Sequence, residues 1–244
     1  MTPSRDHAPV NDIRDIVVKK TTAAQQVADG LSELILSGKV TPGQRLREAA
    51  IAAELGVARN TMREAIRLLE IAGLVHIEVN RGVVAISPTP ESLKSLYSAR
   101  LVLETSAVRD RRAKHHVEHV RQAYDRLIAS AKTRDVAAIV RDDLAFHAAI
   151  VRMLDSPRID HFYDQLVREL RFYLVYLCVQ DKEFERSAGV VDEHYPIMKA
   201  LEEGSAKAAR EEIEKHIVAN HNRVGELIFK NLNGTSVLVD SLDR

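Results

Sequence analysis

The sequence predicts a mainly α-helical protein in two parts, an N-terminal winged helix-turn-helix carrying a small β-hairpin and a C-terminal antiparallel all-α helical bundle. Three observations predict it. Apolar residues recur at three-and-four spacing along most of the chain, the signature of amphipathic helix. Two β-branched runs, LVHIEV and GVVAI, stand either side of a short turn in the first third. The breaks between helical segments in the last two thirds are too short for strands or long crossovers, so neighbouring helices run antiparallel. Composition agrees: of 244 residues 45% are hydrophobic and 29% charged, with only 10 Gly and 7 Pro. That length favours two modest domains over one large one.

Residues 1 to about 20 are polar, contain proline and lack periodicity, which makes them a flexible N-terminal arm. The winged helix-turn-helix is expected over 21–88. Its first helix runs from Thr22 to Leu36, with Val27, Leu31, Leu34 and Ile35 at helical spacing and Gly38 just past its end. TPGQRL turns the chain, Glu48 to Leu55 forms a short second helix, and Gly56 permits the tight interhelical turn. A third helix from Asn60 to about Ala72 points Met62, Ala65, Ile66 and Leu69 inward and Arg59, Arg63 and Arg67 elsewhere. The hairpin follows, turning at Asn80, Arg81 and Gly82. SPTPES, at 87–92, has two prolines and helix-capping residues and reads as the linker.

Six helices are expected beyond it, near 91–114, 116–132, 134–155, 157–180, 182–203 and 205–231, forming a single all-α domain over 91–232. From Asn231 periodicity is lost, so 233–244 is assigned to a loosely held tail. The single cysteine, Cys178, sits in an apolar run, which excludes an intramolecular disulfide framework and reads as a buried, inert thiol. The charged N-terminus is no signal peptide, and no segment reaches the ~18 apolar residues of a membrane span. A cytoplasmic protein without membrane contact is expected.

Lysines and arginines balance aspartates and glutamates at 35 each, which argues against an indiscriminate polyanion binder. Locally the balance breaks: Lys39, Arg45, Arg47, Arg59 and Arg63 face only Glu48 and Glu54 between residues 39 and 63. A helix that enters the DNA major groove must present donors on its N-terminal half, and ARNTMRE does so. Arg59 and Arg63 lie one turn apart, Asn60 and Thr61 add shorter polar groups, and an arginine can read guanine with two hydrogen bonds. Arg45 ahead of the second helix and Arg81 at the wing tip would reach the backbone or minor groove, with Gly82 allowing close approach. The competing reading is a solvated charged helix face. The turn glycine and hairpin, in the required order, favour the DNA reading.

The stretch LILSGKVTPGQRLREAAIAAELGVARNTMREAIRLLEIAGLVHIEVNRGVVA resembles the GntR family of bacterial transcription regulators, without a gap over about fifty residues. In family terms the DNA contacts map onto Arg45, Arg59, Asn60, Thr61, Arg63 and Gly82. Ala58 replaces the serine usual before that arginine, and Asn60-Thr61-Met62 the commoner Thr-Pro-Val, departures that bear on the operator sequence.

In DDLAFHAAI, Asp143 and His147 stand one helical turn apart, so carboxylate and imidazole can converge on one ion such as zinc, nickel or manganese. His194 and His216 lie on the two C-terminal helices, where a helical hairpin can bring them level across the bundle. An Asp-His-His-His set then becomes possible, against the plainer reading of hydrogen-bonded histidines at helix packing surfaces. The other seven, His7, His76, His115, His116, His119, His161 and His221, are read as surface or polar-edge residues. The C-terminal half is similar to the FCD ligand-binding domain of the FadR-like branch of the same family, through RLVLE at 100–104, DLAFH at 143–147, EH at 193–194 and His216. In metal-dependent members, residues matching Asp143, His147, His194 and His216 hold a divalent cation. MLDSPRI departs from the Gly-Asn many relatives carry before that proline.

Four protein ligands leave an octahedral ion with open positions for water or the carboxylate of a small organic acid. Arg100 could grip that acid with two hydrogen bonds, its alternative being a surface salt bridge, and Asn220, one turn after His216, could hydrogen-bond it, its alternative being an ordinary exposed asparagine. The expectation is therefore a metal-dependent regulator, a repressor and homodimer, whose two heads bind a pseudo-palindromic double-stranded operator and respond to a small carboxylic acid. Two alternatives stand beside it. A metal-dependent hydrolytic enzyme could use the same ion to activate water, although DLAFH lacks the His-Glu-x-x-His arrangement. A constitutive DNA-binding protein could keep the metal as a purely structural element.

Overall fold

The structure is a computed structural model, which describes residues 21–108, 114–133, 135–181 and 187–239; the N-terminal arm lies outside them. Helix α1 (Ala23–Leu36) starts where the Thr22 side chain accepts a hydrogen bond from the Gln25 amide at 3.1 Å, and Gly38 leaves it in the left-handed conformation. It packs on α3 (Arg59–Ile71), with the short α2 (Glu48–Glu54) between them in sequence. Met62, Ala65, Ile66 and Leu69 are all buried, as the periodicity of α3 requires. On α1 the buried residues are Ala28, Leu31 and Ile35, whereas Leu34, expected to share that face, is 40% exposed.

Strands β1 (Val75–Glu78) and β2 (Gly82–Ala85) pair antiparallel, with Val75 opposite Ala85 and Glu78 opposite Gly82. Gly82 therefore opens β2 instead of sitting within the turn, and it takes φ 76°, a conformation L side chains resist. Sequence periodicity does not reveal a second pairing: the segment preceding α2 runs along β2, with the Leu46 amide donating to the Val83 carbonyl at 2.9 Å and the Ala85 amide to the Gln44 carbonyl at 2.9 Å. This fastens Arg45 beside the wing.

The linker ends in a helix start. Thr89 and Ser92 form a reciprocal capping box around Pro90, the first residue of α4 (Pro90–Ala107). The bundle continues with α5 (Lys114–Ala131), α6 (Val136–Val151), a 3-10 turn (Arg152–Leu154), α7 (Pro157–Asp181), α8 (Ser187–Glu202) and α9 (Ala206–Val239). Asp155 closes the 3-10 turn at φ 51°, so the SP loop makes its left-handed step with an aspartate. Helix α9 runs past Asn231, where periodicity is lost, because an established helix adds one hydrogen bond per residue fixed without renewed nucleation. Cys178 is partly rather than fully buried, against the main core.

Among the described residues two large apolar cores and one small cluster of Ala148, Val151 and Tyr163 result. The largest lies within the bundle, from Tyr97 on α4 through Phe146 on α6 to Ile213 and Ile217 on α9. The second belongs to the head but recruits Leu96 from α4 and Leu166, Phe172 and Tyr173 from α7, so bundle residues complete the winged helix. Among the described residues, no helix is long and apolar enough to cross a membrane.

Candidate metal centre and reading head

Arg59, Asn60 and Arg63 are exposed on the first turns of α3, with Thr61 partly covered between them. Arg45 is exposed, and its Nη2 would lie 4.0 Å from a Cβ at Gly82, so its guanidinium reaches the turn end of the wing. Arg81 is exposed at the tip, donating to Glu78 Oε2 at 2.7 Å. All seven residues expected to meet DNA thus fall on two neighbouring features, the start of α3 and the wing.

The other site is built in the opposite way. His147 on α6, His194 on α8 and His216 on α9 are each no more than 9% exposed, and they offer ring nitrogens all within 4.8 Å of one another. Asp143, one turn before His147, is 13% exposed and lies 2.8 Å from His194 Nε2 through its Oδ1. All four residues named from the sequence meet at one place. Periodicity explains how: α6 is apolar on most sides, so Asp143 and His147 share a face that turns into the bundle instead of to solvent.

Hydrogen bonds fix which ring nitrogens face the centre. His194 Nδ1 lies 2.6 Å from the Val190 carbonyl, which only accepts, so that nitrogen carries the proton. His147 Nδ1 lies 2.7 Å from Glu104 Oε2. The Nε2 atoms of both rings then face each other at 3.0 Å, where two bare lone pairs would repel. A cation relieves that conflict, whether a proton on His194 shared with Asp143 or a metal ion drawing on all four groups.

Protonation tendencies agree. Burial pushes the His194 pKa down, but the Asp143 carboxylate outweighs it and the net shift is upward. Burial and the neighbouring His194 and His147 hold His216 well below the usual imidazole range, leaving a neutral ring with a lone pair. Burial would raise the Asp143 carboxyl, yet the three histidines take it below the ordinary carboxylate range. Three imidazoles and one carboxylate form a donor set that suits a divalent transition metal by chemistry, and the Val190 carbonyl and Glu104 supply outer contacts to His194 and His147.

Arg100 corrects the surface salt-bridge alternative. It is 1% exposed, and its Nε donates to Glu104 Oε1 at 2.9 Å, while Nη2 is buried with no hydrogen-bond partner among the described residues. Asn220 Oδ1 accepts from the Tyr97 hydroxyl. Glu104 and Tyr163, whose hydroxyl donates to Glu104 Oε1 at 2.6 Å, complete the network and are not singled out by sequence reasoning. The spacing of Arg100 and Glu104, one helical turn apart on α4, is the signal that finds the first; nothing local finds Tyr163.

An exposed basic helix with a wing, joined to a helical bundle with a polar centre, defines a DNA-binding transcription regulator with a second, all-helical domain. The chain belongs to the GntR family: residues 23–84 match the model of bacterial regulatory proteins of the gntR family, and residues 95–219 match the FCD domain. It is 29% identical to the gluconate operon transcriptional repressor of Bacillus subtilis strain 168 over 190 residues, 75% of this chain and 77% of that protein. It is 27% identical to the probable D-xylose utilization operon transcriptional repressor of Paenarthrobacter nicotinovorans, covering 82% and 88% of the two. A solved GntR regulator from Rhodococcus sp. RHA1 superposes with a TM-score of 0.74 at 29% identity, over 84% of this chain and 98% of that one. The protein is a regulator and not an enzyme.

Proposed function

We propose that this protein is a metal-dependent repressor that leaves its operator when a small carboxylic acid binds in the bundle. The observation that carries the reading is the buried convergence of Asp143, His147, His194 and His216 in a chain whose other half presents a DNA-reading helix. A divalent ion would be held by those four residues, polarising whatever oxygen fills its remaining positions. Charge favours an anion there. Asp143 contributes one negative charge, Glu104 and Arg100 cancel, and a divalent ion leaves the centre at one positive. The unpartnered Nη2 of Arg100 then offers a buried donor to a carboxylate, and the Asn220 amide a second.

The relatives support a repressor of a catabolic operon: two carry names of repressors of gluconate and D-xylose utilization operons, and gluconate is itself a hydroxy acid. A homodimer would place two heads on a pseudo-palindromic operator, and an acid that binds one arrangement of the bundles more tightly shifts their spacing. Chelator-stripped and metal-reloaded protein, titrated with a panel of hydroxy and dicarboxylic acids in calorimetry and gel-shift assays, tests this. Operator release that requires both acid and metal is expected. Release by acid from stripped protein, or metal-loaded protein that binds no acid, rejects the reading.

A further inference from the structure

Glu104 is fully buried, and its two oxygens have different partners. Oε1 accepts from Arg100 Nε at 2.9 Å and from the Tyr163 hydroxyl at 2.6 Å. Oε2 faces His147 Nδ1 at 2.7 Å. An ion pair meant only to neutralise Arg100 needs no such division. From this geometry we infer that Glu104 is a positioning residue for the metal centre: by accepting the Nδ1 proton of His147 it sets the tautomer that bares Nε2 toward His194, His216 and the ion, and it ties that ligand to Arg100. The inference rests on the metal reading above and adds a residue and a role to it.

The arrangement makes the isosteric substitution unusually informative. In Glu104→Gln one oxygen becomes an NH2 group, which can only donate. Arg100 is also only a donor, so the amide oxygen must stay with Arg100 and the NH2 must face His147. Nδ1 of His147 then has to accept, its proton moves to Nε2, and the nitrogen that should ligate is blocked. Volume and packing are unchanged. Tyr163→Phe is the matched control, because it removes one donor from Oε1 and leaves the Oε2 contact with His147 intact.

Nitrogen-15 NMR of histidine-labelled, metal-free protein reads the tautomer directly, with the His147 signals identified by their loss in His147→Gln. Competition with a chromophoric chelator reads the affinities for zinc and nickel. In the parent, His147 should carry its proton on Nδ1; in Glu104→Gln it should carry it on Nε2, and metal affinity should fall by about 10- to 100-fold. Tyr163→Phe should keep the parental tautomer and affinity. The same tautomer in parent and Glu104→Gln overturns the inference, as does an equal loss of affinity in Tyr163→Phe. Should Glu104→Gln fail to fold, the parent spectrum still decides: a proton on Nε2 of His147 rejects the role, and a proton on Nδ1 supports it. A parent with the expected tautomer that takes up neither metal overturns the proposal through failure of the metal reading instead, and the two failures are distinguishable.

Discussion

The reading head and the sensor solve opposite problems with the same helical material. The head's candidate reading side chains, Arg59, Asn60, Arg63 and Arg81, stand exposed. The bundle's candidate site residues, His147, His194, His216 and Arg100, are buried, and His147, His194 and Arg100 are hydrogen-bonded within the core. A macromolecular ligand has to be met at the surface, where charge is well solvated and individually weak. An ion with a small anion is gripped best where water is excluded and each contact is strong. Mutations in the head should therefore separate function from stability, and mutations in the sensor should not.

The sharpest challenge to that division is Phe172, fully buried, carried by bundle helix α7, yet packed into the head's core. Phe172→Ala should destabilise the protein by about 3–5 kcal/mol, with loss of head and bundle signals together in urea melts. A head that unfolds alone, leaving the bundle's midpoint untouched, would show the shared core to be a loose contact.

Metal should act next in size. At a concentration a thousandfold above its Kd, zinc or nickel should add about 4 kcal/mol to the parent's stability. It should add nothing to a His194→Ala, His216→Ala double variant. Thermal melts with and without metal check this, and equal shifts in both proteins would detach the histidines from the ion.

The third expectation concerns coupling. Saturating effector should change operator affinity by about 1–3 kcal/mol, roughly 5- to 150-fold. Arg100→Lys, which keeps the charge beside Glu104 but loses the planar fork, should reduce that response while operator binding without effector stays at the parent's level. An undiminished response removes Arg100 from the sensor. Arg100→Ala is the poorer test, because it abandons Glu104 in the core without its charge partner.

The smallest effects belong to the head. Arg63→Ala should lower specific operator affinity by about 1–3 kcal/mol at fixed salt if it reads a base, with an unchanged unfolding midpoint. Arg81→Ala should lower affinity alike on all sequences and reduce the slope of log K against log salt by about 1. A stability loss in either would place these arginines in the fold and break the contrast with the sensor.

Much of this contrast is legible in the sequence, for different reasons in the two halves. The head is local: α2, the Gly56 turn, α3 and the hairpin follow one another within about forty residues, and each carries its own periodicity or turn chemistry. Asp143 and His147 are likewise read from one helix turn. The docking of residues 43–46 on β2 escapes because backbone pairing leaves no period in so short a segment. Leu34 misleads because its spacing fits an apolar face that α3 does not cover.

By itself, the sequence determined the fold class, the order of helices and the identity of the four convergent polar groups, since spacing along a helix or turn governs each. Tertiary structure alone decided that Arg100 is buried against Glu104, that Tyr163 of α7 reaches the same carboxylate 59 residues away, and that the head's core is closed by α7. The physical reason is that burial and hydrogen-bond partnership belong to pairs of elements. A helix's own period states which face is apolar, but the arginine at its edge is exposed or enclosed according to what packs across from it.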